Sequence, residues 1–194
     1  MHPRGISQRS TRSHQLEKMQ TSSAASRVRE NINELFEAQL APGDAYIKFQ
    51  LTLDITALLS MEQVQESSIV EAEQITPLPS MPKSCIGMMN SRDRVFCIFD
   101  LAELLSLPSK SVAPRQYQII ILQTKSQQPI YIGLAVSELQ GILRRSLEQF
   151  QLPPLDTFAA NLIPFLKGAV VEEKKIIPVL EFDRILQTLT TANN

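Results

Sequence analysis

The chain has 194 residues, of which 43% are hydrophobic, so it can form the core of one large or two small soluble domains. Its longest apolar stretches, IIIL at 119–122 and IYIGLAV at 130–136, fall far short of the roughly 20 residues that cross a bilayer. No apolar run follows the first arginines, so we expect neither a secretory signal nor membrane insertion, and we predict a cytoplasmic protein.

The first 30 residues differ in charge from the rest of the chain. They hold six Lys/Arg and two Asp/Glu, whereas residues 31–194 hold thirteen Lys/Arg and eighteen Asp/Glu. Residues 1–25 are rich in Ser, Thr, Gln and Arg, a composition that cannot bury enough apolar surface to offset the entropy of ordering. We predict that residues 1–25 form a disordered basic tail.

An amphipathic helix is predicted at residues 26–41. Ser26 can cap its first turn, and Pro42-Gly43 ends it. One face is apolar, because large hydrophobic side chains recur at helical spacing; these are Val28, Ile32, Leu35, Phe36 and Leu40. The helix is not strongly basic, so docking on the following domain is favoured over binding to a partner or to a membrane surface.

After residue 44 the apolar period changes to two, which predicts strands. In YIKFQLTL, four apolar residues alternate with polar ones, as in a strand buried on one face; they are Ile47, Phe49, Leu51 and Leu53. Further short apolar runs predict strands in hairpins, with the polar tips NSRDR, TKSQQP and EEKK. These runs lie at 85–89, 95–99, 117–122, 130–136, 169–171 and 176–180.

Two segments share one plan. CIFDLAELL at 97–105 and PVLEFDRIL at 178–186 each have apolar strand residues, an acid, and then apolar positions at helical spacing. Asp100 and Glu181 fall where the strand gives way to the helix, and a carboxylate there caps the helix or meets its positive end. The echo favours two similar β units.

Side chains suited to catalysis or metal binding are scarce in the body of the chain. Both histidines, His2 and His14, lie in the basic tail, and the glycines form no phosphate-binding loop. Cys85 and Cys97 lie inside apolar runs, which predicts buried thiols. We therefore predict a protein that is not an enzyme and has no cofactor and no metal site.

Several blocks resemble one known family when they are taken in order. They are Val64-Gln65-Glu66, LPSMP, IGMMNSRDRVFCIFDLAELL, IGLAVSEL and LKGAVVEEKKIIPVLEFDRIL. Together they resemble the CheW-like domain of bacterial chemotaxis coupling proteins, over residues 45–190. The centre is the family's G-x-x-N-x-R-G block followed by a strand ending in D-L, represented by Gly87, Asn90, Arg92, Asp100 and Leu101.

The resemblance implies a mainly β fold of two SH3-like five-stranded barrels with short helices. It also implies a non-catalytic adaptor that couples the cytoplasmic tip of a methyl-accepting chemoreceptor to the regulatory domain of a sensor histidine kinase, and that associates peripherally with receptor arrays. The contact residues carried over are Arg92 and Asn90 at the hairpin tip and Val64 and Glu66 in the preceding strand.

Three positions depart from the family pattern. Asp93 stands where glycine is usual, Cys97 where proline is usual, and Ser137 where aspartate is usual. Aspartate tolerates the left-handed conformation better than most residues, so we expect the hairpin turn to survive and the choice of partner to be affected.

Binding of single-stranded nucleic acid is the alternative function, because small β-barrels bind single strands and the tail is basic. The body is acidic, however, and Phe49, Phe96 and Phe99 lie in apolar strands, where burial is expected instead of exposure for base stacking. We therefore expect no nucleic-acid partner.

Overall fold

The computed structural model describes residues 43–108, 114–151 and 155–191. The predicted tail at 1–25 and the predicted helix at 26–41 lie outside the described residues.

The described residues form ten strands, two α-helices and four short 3-10 turns. The strands are β1 (Asp44–Gln50), β2 (Thr56–Ser60), β3 (Val64–Glu71), β4 (Cys85–Ser91), β5 (Arg94–Asp100), β6 (Gln116–Gln123), β7 (Tyr131–Val136), β8 (Glu138–Arg145), β9 (Leu166–Glu172) and β10 (Lys175–Leu180). The helices are α1 (Leu101–Leu104) and α2 (Phe182–Thr191), and the 3-10 turns are Ala72–Gln74, Leu147–Gln149, Leu155–Thr157 and Ile163–Phe165.

The strands form two five-stranded sheets, which confirms the predicted mainly β fold of two subdomains. Barrel 1 has the order β3-β6-β7-β5-β4, and barrel 2 has the order β8-β1-β2-β10-β9. Each contains one parallel junction, β5 with β7 in barrel 1 and β10 with β2 in barrel 2. The neighbouring strands and the parallel junction correspond, so the two sheets share one spatial topology, although barrel 1 consists of β3–β7 and barrel 2 of β1, β2 and β8–β10.

Each sheet closes through a single bridge just beyond one edge strand. Thr76, which follows β3, exchanges two backbone hydrogen bonds of 2.8 Å with Met88 in β4. Gln151, which follows β8, does the same with Ala169 in β9 at 2.8 and 3.0 Å. Since a closed sheet presents no free edge, these bridges convert both sheets into barrels.

The echo seen in the sequence is confirmed by the pairing of the two outer hairpins. A constant offset in residue number converts every β4–β5 pair into a β9–β10 pair, for instance Cys85↔Phe99 into Leu166↔Leu180. The bulge falls at the same step of both ladders. Both hairpins lead into a helix, and the carboxylate of Asp100 accepts a 3.0 Å hydrogen bond from the Glu103 amide, as predicted for a cap.

Three apolar clusters hold the structure together. One fills barrel 1 and includes Phe96 and Ile98, and another fills barrel 2 and includes Tyr46 and Val179. The third and largest lies between the barrels and draws on both sheets. Because alternate residues of a strand face opposite sides, a central strand such as β1 supplies both its own barrel and the shared core.

Two strands were not predicted from the sequence, and the predicted extent of β1 was wrong. β2 is a short run without alternation, because both of its faces are buried. β8 has no fully buried residue and contains Gly141 at φ 109° beside a bulge, so its pattern is weak. β1 ends at Gln50, and Leu53 is 84% exposed in the following turn instead of continuing a buried face.

Candidate functional site

The tip of the β4–β5 hairpin is a turn of only two residues. β4 continues to Ser91 and β5 begins at Arg94, so the turn consists of Arg92 and Asp93, at φ 50° and 63°. Positive φ at both central positions is the mark of the type I′ turn, whose twist matches that of the flanking strands. The expectation that the turn tolerates Asp93 is confirmed.

Arg92 reaches from this turn to Glu66 on β3. Its guanidinium Nη1 lies 2.8 Å from the Glu66 carboxylate. The arginine side chain is 78% exposed, whereas the glutamate side chain is 23% exposed. The structure therefore brings two of the predicted contact residues together and leaves the cation largely exposed to solvent.

The other two predicted residues lie apart from this ion pair. Asn90 is exposed and pairs with Val95 on the ladder; its neighbour Met89 belongs to the barrel 1 core, so Asn90 points to the outer face of the hairpin. Val64 is half-buried and packs against the core between the barrels. A bulge between Val64 and Glu66 separates the surroundings of the two side chains.

Two residues beside the ion pair were not selected from the sequence. The guanidinium carbon of Arg94 lies 4.5 Å from the centroid of the Tyr131 ring. Arg94 also lines a small cavity of about 10 Å³, which Glu66 and Arg92 share. The R-x-R spacing at the tip was the available signal for Arg94, but the contact with Tyr131 depends on strand order.

The sequence model of the CheW-like domain matches residues 49–190. This span contains both barrels except the first five residues of β1. The chain belongs to the CheW-like domain family.

Curated relatives carry the same name as the domain. The chemotaxis protein CheW of Thermotoga maritima is 27% identical over 123 residues, covering 63% of this chain and 76% of the relative. The chemotaxis protein CheW of Rhizobium meliloti is 29% identical over 110 residues, covering 57% and 68%.

A solved structure with the same fold is the scaffolding protein TtCheW from Thermoanaerobacter tengcongensis. Its TM-score against this chain is 0.60 with 18% sequence identity, and the match covers 72% of this chain and 90% of TtCheW. At this identity the likeness supports the fold, and both barrels agree with it.

The two remaining departures from the CheW pattern are accommodated inside the fold. Ser137 donates its amide to the Gln50 carbonyl at 2.9 Å and its hydroxyl to the Leu51 carbonyl at 3.3 Å, linking the barrels. Cys97 and Cys85 are free thiols and are half-buried. The sequence predicted that both are buried. Burial and the neighbouring Cys97 raise the pKa of the Cys85 thiol, which favours its protonated form.

A cavity of about 750 Å³ opens between the barrels of this CheW-like chain. Acidic and basic side chains line it together with apolar ones; they include Asp54, Lys83, Asp100 and Glu103. Asp100 is already engaged as the cap of α1. Among the described residues no cluster of His, Cys, Asp and Glu could hold a metal ion, and none of the described helices has the length and apolarity that spanning a bilayer requires.

The aromatic side chains singled out in the sequence do not offer a stacking surface for a single-stranded nucleic acid. Phe49, Phe96 and Phe99 are 0%, 4% and 8% exposed. Base stacking requires an open aromatic face. Their burial agrees with the prediction and does not favour the nucleic-acid alternative.

Proposed function

We propose that this CheW-like chain is a chemotaxis adaptor that couples the cytoplasmic tip of a chemoreceptor to the regulatory domain of a sensor histidine kinase, and that it catalyses no reaction. Membership of the family and the names of its relatives support the chemotaxis role. Such an adaptor works in the cytoplasm, peripherally associated with receptor arrays.

The observation that carries the proposal is the exposure of Arg92 at the end of an ordered hairpin. An arginine that is 78% exposed contributes little to folding, because a surface ion pair is worth about 0–1 kcal/mol. Arginine is enriched among the residues that dominate binding energy at interfaces. Asn90 and Glu66, on either side of the tip, extend the proposed surface, and Val64 supports β3 from the core side.

Two barrels of one topology give an adaptor two separate faces. A contact between different faces of neighbouring molecules is heterologous, and such contacts build closed rings when the rotation permits. Each contact can be weak in a large assembly, because every bound neighbour raises the effective concentration of the next. This is the physical basis on which a non-catalytic protein transmits a receptor state to a kinase.

The test is the variant Arg92→Glu. Binding to the kinase regulatory domain and to the receptor's cytoplasmic fragment, both from the same organism, is measured by titration. We expect at least one affinity to fall about 30-fold, corresponding to about 2 kcal/mol for a hot-spot arginine, while the melting temperature changes by less than about 2 °C.

Arg184→Glu is the matched control, because it makes the same charge change on α2 of barrel 2, where Arg184 donates to the Pro164 carbonyl. It should leave both affinities unchanged. Unaltered binding of both partners by Arg92→Glu would remove this arginine from the proposed site.

A further inference from the structure

The end of the β4–β5 hairpin is attached to the barrel on two sides. Arg92 reaches Glu66 on β3, and Arg94 lies over Tyr131, the first residue of β7. The 4.5 Å separation of the Arg94 guanidinium carbon from the Tyr131 centroid is within the roughly 6 Å range of a cation–π contact. Two neighbouring arginines thus use two different kinds of partner.

The turn at this hairpin tip has a backbone conformation that its residues disfavour. Ser91↔Arg94 is the last pair of the hairpin ladder, and the turn residues Arg92 and Asp93 are both left-handed although neither is glycine. Side chains with a Cβ resist this conformation. Arg94 is the first residue of β5 after the turn. A fixed Arg94 side chain therefore also fixes the direction in which the turn joins β5.

The charge of Arg94 is not neutralised by its partner. Within residues 43–108, 114–151 and 155–191, no carboxylate oxygen lies within 4.0 Å of the Arg94 guanidinium, whereas Glu66 neutralises Arg92. The ring of Tyr131 holds the cation through its electron-rich face and adds no negative charge. Both arginines line one small cavity together with Phe96 and Ile121.

We propose that Arg94, stacked on Tyr131, is a positioning residue for Arg92 in partner binding. It fixes the hairpin tip against β7 while Glu66 holds it from β3, so that Arg92 meets its partner in one orientation. This inference rests on the proposed adaptor function and adds a residue pair to the same site.

The test uses four single variants and one double variant, titrated with the kinase regulatory domain and the receptor fragment. Arg94→Gln and Tyr131→Leu remove the stacking, whereas Arg94→Lys keeps a cation and Tyr131→Phe keeps the ring. For the partner that Arg92→Glu weakens, we expect losses of about fivefold in the first two and less than about twofold in the last two. The double variant Arg94→Gln/Tyr131→Leu should also lose about fivefold in affinity and no more, because the two substitutions remove the same contact.

Wild-type affinity in Arg94→Gln and Tyr131→Leu, with binding still lost in Arg92→Glu, would overturn the positioning role and leave the proposed function intact. Equal losses in the conservative and disruptive variants would overturn it as well, since stacking would then not be the cause. If Arg92→Glu itself binds normally, the proposed site fails instead. Arg94→Gln and Arg94→Lys decide the matter even if Tyr131→Leu does not fold, because Arg94 lies at the surface end of β5.

Discussion

Arg92 and Glu173 occupy the same position in two copies of one hairpin, as the first residue of a two-residue turn, with φ angles of 50° and 48°. The following residues, Asp93 and Lys174, are also left-handed, at 63° and 67°. The order of charges is therefore reversed between barrels of one topology. The fold requires the turn geometry and not a given charge, so the charges at the two tips can differ without changing the hairpin.

The ion pairs that join each hairpin to its edge strand also have reversed charges. In barrel 1 the hairpin supplies the cation, Arg92, and the edge strand supplies Glu66. In barrel 2 the hairpin supplies the anion, Glu172, which contacts Arg145 of the edge strand at 2.9 Å and also Lys48 of β1. All three side chains of this cluster are between 24% and 26% exposed. The second tie is thus better shielded from water.

Replacing Glu172 with Gln should destabilise the fold by about 1–2 kcal/mol. The change leaves two partly buried cations facing each other; full burial would make the loss larger, and the exposed quarter of each side chain reduces it. The free energy of unfolding is measured with urea at neutral pH.

Glu66→Gln is the matched control, because the arginine that it leaves unpaired is mostly exposed. Its loss should stay below about 0.5 kcal/mol. Equal losses in the two variants would show that shielding does not distinguish the two ties.

Glycine at the second turn position should stabilise barrel 2 more than barrel 1. Lys174→Gly removes a Cβ from a left-handed residue, which is worth about 1–2 kcal/mol before the greater entropy of unfolded glycine subtracts about 0.4–1 kcal/mol. Asp93→Gly should gain less, since aspartate tolerates this conformation. Thermal unfolding measures both changes in stability.

Lys175→Gly is the control, because it removes a side chain at an exposed strand position and should lower the melting temperature. A lower melting temperature in Lys174→Gly as well would contradict the argument.

The outer hairpins and the helices that follow them could be predicted because local pattern determines them. Apolar runs, polar tips and an acid at the strand end were enough to place β5, α1, β10 and α2. Asp100 was identified as a cap for the same reason. These signals lie within a few residues of one another, so no knowledge of strand order was needed.

Strand order limited the remaining predictions. β2 lies in the middle of barrel 2 and is buried on both faces, which removes its alternation. The contact between Arg94 and Tyr131 arises because β5 and β7 are parallel neighbours, although α1 and β6 lie between them in sequence. Val64 and Glu66 lie two residues apart, yet a bulge gives them different surroundings. Sequence spacing cannot reveal these relationships.

Alkaline pH should lower the free energy of unfolding, in part because the Tyr46 phenol ionises. Burial, followed by the nearby Asp44 carboxylate, raises the pKa of the Tyr46 phenol above its ordinary value. A raised pKa means that the folded state favours the protonated phenol, so this stabilisation is complete below about pH 10 and is lost as pH rises through the folded value.

Unfolding by urea at pH 8 and pH 10.5 tests this effect. The free energy of unfolding should fall between the two, and Tyr46→Phe should show a smaller fall, because it has no phenol to ionise. Burial also raises the pKa of the Tyr117 phenol. The variant Tyr117→Phe therefore measures the part of the pH dependence that comes from Tyr117. An identical pH dependence in wild type and Tyr46→Phe would exclude Tyr46 as a source.

Closure of barrel 1 should depend on Gly87 far more than closure of barrel 2 depends on its counterpart, Gly168. A Cβ on Gly87, at φ 155°, would lie 2.5 Å from the Thr76 carbonyl oxygen, the atom that accepts the Met88 amide in the closing bridge. A Cβ on Gly168 would meet the Phe150 ring at 3.3 Å, and its φ is outside the left-handed region.

Gly87→Ala should therefore cost about 3 kcal/mol, because backbone has to move, whereas Gly168→Ala should cost about 1 kcal/mol or less, because a ring can shift by a few tenths of an ångström. Urea unfolding measures both losses, and amide hydrogen exchange locates them. In Gly87→Ala the amides of Thr76 and Met88 should exchange faster, since they close the barrel, while the Gln151 and Ala169 amides should keep their protection. A larger loss in Gly168→Ala, or unchanged exchange at Met88, would mean that the bridge after β3 does not depend on glycine at this position.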